Sequence, residues 1–396
     1  MDLLQLKRDL TVELEKNILP YWTKYTVDNM NGGFFGRINN ENIVDITANK
    51  GSVLNARILW TFSAAYNELK SPDLMRIASK AYHYIQNYFI DKTYGGVYWL
   101  LDYTGKPVDT HKQIYALAFT VYGLAEYYKA SGEKDSLKTA IDLYKVIEER
   151  AFDPNYKGYF EAFQRDWSLI DDQRLSDKDM NVEKTMNTHL HVLEAYSTLY
   201  DVWKDPELRN KIEHLIEVFL KHIVNQETGH FNMFMETNWT VVSGKLSYGH
   251  DVEGAWLLQE AAEKIDNPAM LEKVKEVAIK MTDAALLGVD PMGGLYADYI
   301  PDMGNETERE WWTLAEGVVG CVNAYEISHD KKYLDTAFGF WDFIKKFQID
   351  SRYGEWFYRV DEEAKPILSY DKVGQWKCPY HNSRMCLEIM RRVKGE

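Results

Sequence analysis

Apolar residues recur at intervals of three and four along most of the chain. Leu54, Ile58, Phe62 and Ala65 show this interval within one segment. One face of an α-helix repeats with the same period, so the pattern predicts amphipathic or buried helices. We expect about twelve helices, with approximate bounds 3–19, 48–69, 74–90, 110–131, 134–150, 184–203, 206–224, 248–265, 268–286, 311–328, 331–347 and 374–393.

Short stretches rich in glycine and aromatic residues separate pairs of these helices. Each begins with glycine and then alternates aromatic and polar residues, which is typical of a turn that enters a short strand. They start 63, 63, 71, 64 and 61 residues apart, at Gly32, Gly95, Gly158, Gly229, Gly293 and Gly354. Unrelated turns would rarely be spaced so evenly, so the spacing indicates a sixfold internal repeat.

Six repeats of two helices and a short β-hairpin favour an all-α fold, the (α/α)6 barrel. In this fold an inner ring of helices is surrounded by an outer ring, and closure buries the apolar face of every repeat. No linker or low-complexity tract divides the chain, so we expect residues 1–396 to form a single catalytic domain. The polar segment 164–182 is either a loop beside a functional site or a plain surface excursion.

Charge and composition narrow the choice of partner. The 396 residues include 46 Lys and Arg against 61 Asp and Glu, a net charge of -15. Such a chain repels phosphates, so we expect neither nucleic acid nor an anionic membrane surface as partner. The 12 Trp and 27 Tyr suit a sugar-binding site, because their apolar faces stack on sugar rings and their polar tips bond hydroxyls.

The N-terminal segment and the cysteines bear on the compartment. Residues 1–16 are charged and lack the apolar stretch of a signal peptide. No segment reaches the roughly 18 apolar residues that a membrane span requires. Cys321, Cys378 and Cys386 form no CxxC pair and suit a reducing environment. We therefore expect a cytoplasmic protein. Its oligomeric state is left open, and a monomer is compatible with the sequence.

Polar and aromatic side chains collect in the first turns of the helices that follow each glycine-aromatic unit. If these helices form the inner ring, one end of the barrel gathers the whole set. Taken one at a time, each residue could have a purely structural role, since a lone His or Trp in an apolar helix is usually a core residue. Arg57 either pairs with a carboxylate or faces an oxygen-rich ligand. The set is Arg57, Tyr115, Asn187, His189, His191, His250, Glu253, Trp311, Trp312, Glu316, Trp376 and His381.

The spacing within the set adds detail. Asn187 and His191 are four apart and share a helix face, whereas His189 points elsewhere. Glu253 follows His250 by three positions, where its carboxylate could orient the imidazole and raise its basicity. An HxH pair on a helix diverges, so we expect no metal site. The sequence also lacks phosphate-binding loops and HExxH and GxSxG motifs.

Five stretches resemble the cellobiose 2-epimerases of the N-acylglucosamine 2-epimerase superfamily. They span positions 54–389, and the last is the most specific: LNARILWTFSAAYN, KTMNTHLHVLEAY, SYGHDVEGAWLL, EWWTLAEGVVG and QWKCPYHNSRMCLEI. The resemblance implies an (α/α)6 barrel and no cofactor. The implied reaction is reversible conversion of glucose to mannose at the reducing end of a β-1,4-linked disaccharide.

The resemblance also implies roles for individual residues. His250 and His381 correspond to the acid/base pair, and Glu253 to the partner of the catalytic histidine. His191 and Arg57 correspond to residues near the reacting O1, C1 and C2 atoms. The implied sugar-binding residues are Tyr115, Asn187, Trp312 and Trp376.

Histidines suit this reaction. C2 of a closed sugar ring is not acidic, so the ring must first open to an aldehyde. A base then takes the C2 proton, and reprotonation of the cis-enediolate from the opposite face inverts C2. Histidine exchanges protons near neutral pH, with a reference pKa of about 6.5. Arg57 or a protonated histidine could stabilise the oxyanion at O1. The sequence does not fix which histidine serves which face.

Other functions stay open at this point. A mannose-type aldose-ketose isomerase or an N-acylglucosamine 2-epimerase would use the same fold and site. An inverting glycoside hydrolase would need two carboxylates about 6.5–9.5 Å apart, with Glu253, Glu316, Asp251 and Asp298 as candidates. A non-catalytic sugar-binding module would need the tryptophans but not three clustered histidines.

Overall fold

The structure, a computed structural model, describes residues 2–394 and consists mainly of helices in two concentric rings. Each inner helix contacts the next, and the last returns to the first. The inner ring is therefore closed, which confirms the predicted (α/α)6 barrel. Its members are α3 (Ser52–Leu69), α5 (Ile114–Ser131), α7 (Met186–Val202), α9 (Tyr248–Lys264), α11 (Trp311–Ser328) and α13 (Tyr380–Arg392).

The outer helices pack against the inner ring. They are α1 (Leu3–Glu13), α2 (Leu19–Tyr25), α4 (Pro72–Tyr84), α6 (Lys134–Arg150), α8 (Pro206–Val218), α10 (Pro268–Ala285) and α12 (Lys331–Phe343). Wide π turns continue several of them, at Leu14–Ile18, Ile85–Phe89, Phe219–Ile223 and Ile344–Gln348, and a 3-10 turn at Leu286–Gly288 follows α10. Within residues 2–394, no helix combines the length and the apolar character needed to cross a membrane.

The sequence pattern explains which helices are inner and which are outer. Helix α5 is buried on all sides without interruption from Ile114 to Tyr127. A helix that is apolar all round must lie inside the protein. Helix α6 buries a single stripe with helical spacing and exposes the opposite face. The stripe consists of Ser136, Ala140, Leu143, Tyr144 and Ile147.

The predicted bounds are least accurate at helix ends. The first helical segment was expected to end at residue 19, but it continues through Pro20 to Tyr25. The preceding π turn allows this, because the Leu19 N–H bonds the carbonyl of Leu14, five residues back. This wider turn relieves the clash that proline makes with an ordinary helical turn. Four inner helices, α3, α5, α7 and α13, begin later than expected, because short strands or loops occupy the residues before them. Helices α9 and α11 begin where the sequence predicts, at Tyr248 and Trp311.

Short antiparallel strands cover the end of the barrel where the inner helices begin. They pair in the orders β1-β2-β3, β4-β5, β6-β7, β8-β9-β10 and β11-β12. Their bounds are β1 (Lys50–Gly51), β2 (Leu100–Leu101), β3 (Pro107–Asp109), β4 (Lys112–Gln113), β5 (Ala162–Phe163), β6 (Lys184–Thr185), β7 (Phe234–Met235), β8 (Leu246–Ser247), β9 (Asp298–Ile300), β10 (Gly304–Asn305), β11 (Arg309–Glu310) and β12 (Arg359–Val360).

The strand register joins each repeat to the next. Lys50 pairs with Leu101, and Lys112 pairs with Phe163 in the same way one repeat further on. Hairpins within one connection also occur, as β2-β3 and β9-β10. A single bridge from Ile38 to Val373 links the first repeat to the last. The strands therefore hold neighbouring inner helices together at one end of the barrel.

A buried ion pair recurs beneath five of the six turns. In each, a turn aspartate accepts backbone N–H groups and also forms an ion pair with a cation from the segment that precedes an inner helix. Because the cation and the turn belong to different parts of a repeat, each pair fixes the start of an inner helix. The pairs are Lys50–Asp28 (2.8 Å), Lys112–Asp91 (2.9 Å), Lys184–Asp153 (2.7 Å), Arg309–Asp290 (3.0 Å) and Lys372–Asp350 (2.5 Å).

Candidate active site

A cavity of about 400 Å³ opens at the end of the barrel where the inner helices begin. Ligand pockets typically measure roughly 300–1,000 Å³, so a small sugar is a reasonable occupant. All nine residues that the sequence singles out as catalytic or substrate-binding line this cavity. They are Arg57, Tyr115, Asn187, His191, His250, Glu253, Trp312, Trp376 and His381.

These side chains lie at two depths, set by helical spacing. Tyr115, Asn187, Trp312 and His381 are each the second residue of an inner helix. The sixth positions of α3, α7, α9 and α11 lie one turn deeper and face the same axis. They are occupied by Arg57, His191, Glu253 and Glu316.

Each of the three cavity histidines is held at Nδ1. Their Nε2 atoms make no hydrogen bond to any of residues 2–394, and all three side chains line the cavity. The Nε2 atoms are therefore the ones available to a ligand. The Nδ1 contacts are His191 with Glu194 Oε2 (2.9 Å), His250 with Ser247 Oγ (2.8 Å) and His381 with Glu316 Oε1 (2.7 Å).

His250 and His381 lie on the same side of the barrel. Both rings contact Trp312, with ring centroids 4.6 Å and 5.4 Å from the indole. Burial lowers the pKa of His250 to about 3. Burial, together with the charges of Arg57 and Arg384, lowers the pKa of His381 well below its ordinary value. Both imidazoles are therefore neutral near neutral pH and can accept a proton.

The structure corrects the expectation that Glu253 orients His250. The Nδ1 atom of His250 bonds Ser247 instead. Glu253 lies one turn deeper, fully buried, where it bonds Arg384 and lies 3.9 Å from Nδ1 of His381. Burial raises the pKa of Glu253 to about 7. The interval of three places the two side chains on one face but at different depths, so the carboxylate reaches the barrel axis.

Glu194 and Arg384 were not predicted from the sequence as site residues, and Glu316 was not paired with His381. Glu194 follows His191 by three positions, and Arg384 follows His381 by three. These intervals place each residue on the same helix face as a predicted site histidine, so the sequence could have indicated both. The Glu316–His381 contact joins α11 to α13 across 65 positions, so it exists only because the ring closes.

Arg57 has no carboxylate partner among residues 2–394. Its guanidinium bonds Tyr115 Oη at 2.7 Å and lies over the ring of Phe119, 4.3 Å from the centroid. Its Nε atom is buried without a hydrogen bond. A buried charge of this kind is costly unless it meets a polar ligand. Of the two alternatives for Arg57, the geometry therefore favours an oxygen-rich ligand over a carboxylate partner.

Two of the three tryptophans offer ring surface to the cavity. Trp312 and Trp376 are partly exposed, whereas Trp311 is almost fully buried. Trp312 donates its indole N–H to Glu310 Oε2 at 2.6 Å, which fixes the ring plane. Trp311 also borders the cavity but is almost fully buried, so of this adjacent pair Trp312 is the ring available for stacking.

The model of the N-acylglucosamine 2-epimerase (GlcNAc 2-epimerase) family matches residues 33–384. The chain belongs to this family. It is 42% identical over 386 residues to the cellobiose 2-epimerase of Bacteroides fragilis, covering 97% of this chain and 98% of that protein. It is 38% identical over 394 residues to the cellobiose 2-epimerase of Dictyoglomus turgidum, covering 99% and 100%.

Solved structures agree with this family assignment. The cellobiose 2-epimerase from Bacillus thermoamylovorans B4167 superimposes with a TM-score of 0.95 at 37% identity, covering 98% of this chain and 100% of that one. A D-mannose isomerase superimposes with a TM-score of 0.85 at 19% identity, covering 98% of each chain, and shares the fold.

The polar segment 164–182 contributes to the wall of the cavity. Residues 175–179 line the cavity, together with Lys245 and Asp298, which form an ion pair at 2.7 Å. Ser176 is fixed within the segment, since its hydroxyl donates to Asp179 Oδ2 at 2.8 Å. Of the two alternatives for residues 164–182, a loop beside the site is the correct one.

Two groups in the described part of the chain contain potential metal ligands: the pair His189 and His191, and the cluster of Glu253, Glu316 and His381. His189 has no free nitrogen, because Nδ1 bonds the Thr185 carbonyl and Nε2 accepts the Tyr159 N–H. Ligand atoms of Glu253, Glu316 and His381 lie within 4.8 Å of one another. However, Glu253 and Glu316 both bond the Arg384 guanidinium, which already supplies the positive charge there. Neither group fits a metal ion.

Proposed function

We propose that the protein is a cellobiose 2-epimerase, which reversibly inverts C2 of the reducing-end glucose in a β-1,4-linked disaccharide. One observation carries the proposal: three imidazoles present free Nε2 atoms to a cavity that also contains the unpaired guanidinium of Arg57. The relatives named cellobiose 2-epimerase, 34% to 42% identical over nearly the full chain, support the same reaction.

The acid-base chemistry follows from the protonation states of His250 and His381. A neutral imidazole takes the C2 proton and becomes an imidazolium. The other imidazole takes up a proton from solvent before this step and delivers it from Nε2 to the opposite face. The pair therefore holds one proton before and after the inversion and two while the enediolate exists, and the two rings exchange roles for the reverse reaction. The carboxylate of Glu316 stabilises the imidazolium of His381 through the Nδ1–H bond.

Arg57 and the tryptophans supply binding and charge stabilisation. The enediolate carries negative charge at O1, and a fixed guanidinium stabilises it without reorganisation. Trp312 and Trp376 provide flat apolar faces on which sugar rings stack. His191, held by Glu194, adds a third donor or acceptor near the reacting atoms.

A glycoside hydrolase is disfavoured by the positions of the carboxylates. Oxygens of Glu253 and Glu316 lie within 4.8 Å and share one guanidinium, whereas an inverting pair stands about 6.5–9.5 Å apart. Asp251 bonds His230 at 2.6 Å and does not line the cavity. An isomerase that moves the C2 proton to C1 would use the same residues and is separated from the epimerase by its product.

Incubation with cellobiose in heavy water tests the proposal. Epimerisation yields glucosyl-mannose with deuterium at C2, which nuclear magnetic resonance detects directly. A glucosyl-fructose product would instead identify an isomerase, and free glucose a hydrolase. Unchanged cellobiose, with no deuterium incorporated, would show that the protein only binds the sugar.

Activity is expected to survive chelation, because the chemistry needs only proton transfer. Turnover measured after dialysis against EDTA should equal that of the untreated protein, without added nucleotide or nicotinamide. Loss of turnover that one divalent metal restores would contradict this expectation. It would indicate that Glu253, Glu316 and His381 form a metal site.

We infer a cytoplasmic enzyme that acts on a neutral disaccharide and binds neither nucleic acid nor membranes, consistent with its net charge of -15.

A further inference from the structure

Arg384 lies at the centre of a buried cluster that the proposed mechanism does not yet use. It stands on α13, one turn below His381, and is 1% exposed. Its guanidinium bonds carboxylates from three other inner helices: Glu194 on α7, Glu253 on α9 and Glu316 on α11. Its bond to Glu316 measures 2.6 Å. One side chain therefore ties four of the six inner helices together beneath the cavity.

Two of these carboxylates also hold cavity histidines. Glu194 binds Arg384 through Oε1 and His191 through Oε2. Glu316 Oε1 binds both Arg384 and His381. A single carboxylate thus links Arg384 to each of these two imidazoles, and Arg384 does not line the cavity itself. Its hydrogen bonds therefore reach the two imidazoles through Glu194 and Glu316, in addition to the direct effect of its charge on His381.

The charges in the cluster depend on this guanidinium. Three buried carboxylates share it, and buried carboxylates tend to become neutral unless a cation is near. Burial opposes ionisation of Glu194, but Arg384, His191 and Tyr380 together outweigh it, with the charge of Arg384 the largest single contribution, and lower the pKa of Glu194 to about 2. At Glu316 the same cation acts against burial, which still raises the pKa of that carboxylate. Burial raises the pKa of Glu253, the third carboxylate, to about 7, and its Oε2 has no hydrogen bond.

Other ionisable groups face the cluster from the surrounding helices. Arg57 is the only other permanent cation among them in the described part of the chain, and it lies in the cavity wall rather than between the carboxylates. The facing groups are Arg57 on α3, Tyr115 and Tyr122 on α5, His191 on α7, Glu260 on α9, and Tyr380 and His381 on α13.

We propose that Arg384 is a positioning residue: it keeps Glu194 and Glu316 ionised, so that they accept Nδ1–H from His191 and His381 and leave both Nε2 lone pairs directed at the sugar. The proposal rests on the epimerase function proposed above. A carboxylate that is neutralised can donate a proton to Nδ1 instead. The imidazole would then carry its hydrogen on Nε2 and lose its ability to act as a base.

The test compares Arg384→Lys and Arg384→Met with the wild-type enzyme. Lysine keeps the positive charge but lacks the planar guanidinium that reaches several carboxylates. Arg384→Lys should therefore retain part of the activity that Arg384→Met loses. We expect kcat to fall about 10- to 100-fold in Arg384→Met, a fraction of the 10²–10⁴ that acid-base catalysis supplies, with little change in KM. The acidic limb of the kcat/KM profile should move up by about one pH unit, because the carboxylates protonate more readily without the cation.

A second measurement does not depend on turnover. Nitrogen-15 spectra of histidine side chains in the substrate-free enzyme report which ring nitrogen carries hydrogen. Wild type should show Nδ1–H for His191 and His381, and Arg384→Lys should show a mixture. Wild-type rings with Nε2–H would overturn the Arg384 proposal even if cellobiose is epimerised. The expected tautomers in a protein that leaves cellobiose unchanged would overturn the function alone.

Folding controls keep the test decisive. Circular dichroism checks each variant, and if Arg384→Met does not fold, Glu194→Gln replaces it. That variant is expected to disturb only the tautomer of His191, since Glu194 bonds that ring and not His381. A folded Arg384→Met with lower kcat but an unchanged pH profile and unchanged tautomers would show that Arg384 is merely structural.

Discussion

Each cavity imidazole has one nitrogen fixed by the protein and one left free. For His191 and His381 the fixed contact is a buried carboxylate, and for His250 it is the Ser247 hydroxyl. A carboxylate stabilises an imidazolium more than a hydroxyl does, because it carries a full charge. The two members of the proposed acid-base pair are therefore unequal, although both must hold the proton in turn.

Replacing either member of the pair should nearly abolish epimerisation. We expect His381→Phe and His250→Phe to lower kcat by at least about 10²-fold, the lower bound for a general acid-base group. The double variant should be little worse, since the two act as a unit. Steady-state epimerisation of cellobiose measures this. His83→Phe, at an exposed histidine outside the cavity, is the matched control. A folded His381→Phe that keeps a tenth of wild-type turnover would remove His381 from the mechanism.

Trp376 is expected to act through binding alone. Stacking holds the ground state and the transition state equally, so Trp376→Ala should raise KM and leave kcat nearly unchanged. Saturation curves with cellobiose give both constants. Trp203→Ala, a partly exposed tryptophan outside the cavity, should alter neither. A fall in kcat with unchanged KM would instead assign Trp376 to the reacting end of the sugar.

At the scale of elements, the repeated ion pairs connect each hairpin to the start of an inner helix. Because the site residues occupy the first turns of those helices, these pairs also set the geometry of the cavity wall. The fourth repeat differs, with Asn225 at the turn, where its side chain accepts the backbone N–H groups of Glu227 and Thr228. An amide can make the turn bonds without a charge, so this turn needs no cation.

Removing one cation from these pairs should be costly. Lys50→Met leaves the fully buried Asp28 without its partner, and breaking such a pair typically costs about 3–5 kcal/mol. Urea unfolding measures the loss. Lys138→Met, which breaks the exposed pair with Asp142, should cost less than about 1 kcal/mol. Equal losses in the two variants would contradict a special role for the buried pair.

The same variant has a defined pH dependence. Backbone N–H bonds and Lys50 outweigh burial and lower the pKa of Asp28 in the folded protein. A lowered folded-state pKa gives stability that is present above the unfolded pKa of about 3.9 and lost as the pH falls below it. The difference between wild type and Lys50→Met should therefore shrink in acid. A difference that is constant from pH 7 to pH 3 would assign the loss to packing.

At the scale of the whole molecule, closure of the ring joins residues that are far apart in sequence. Helix α13 packs against α3 and α11 and brings His381 and Arg384 to the cavity. No repeat can form its share of the site alone, because each wall contact needs the next helix.

We propose that residues 1–396 behave as one domain, and closure predicts a single unfolding transition. Near-ultraviolet circular dichroism reports the packed tryptophans, and far-ultraviolet dichroism reports the helices. The two unfolding curves in guanidinium chloride should coincide. Separate midpoints would show that part of the barrel unfolds independently.

The sequence by itself determined the helical period, the sixfold spacing and nine of the residues that line the cavity. These features rest on interactions between near neighbours, so residues such as Asn187 and His191 could be placed on one face without a structure. The tertiary structure decided the partners. It paired Glu253 with Arg384 instead of His250 and Glu316 with His381, and within residues 2–394 it gave Arg57 no carboxylate partner. Those contacts join side chains on different helices, and no local spacing encodes them, because only closure of the ring sets their distances.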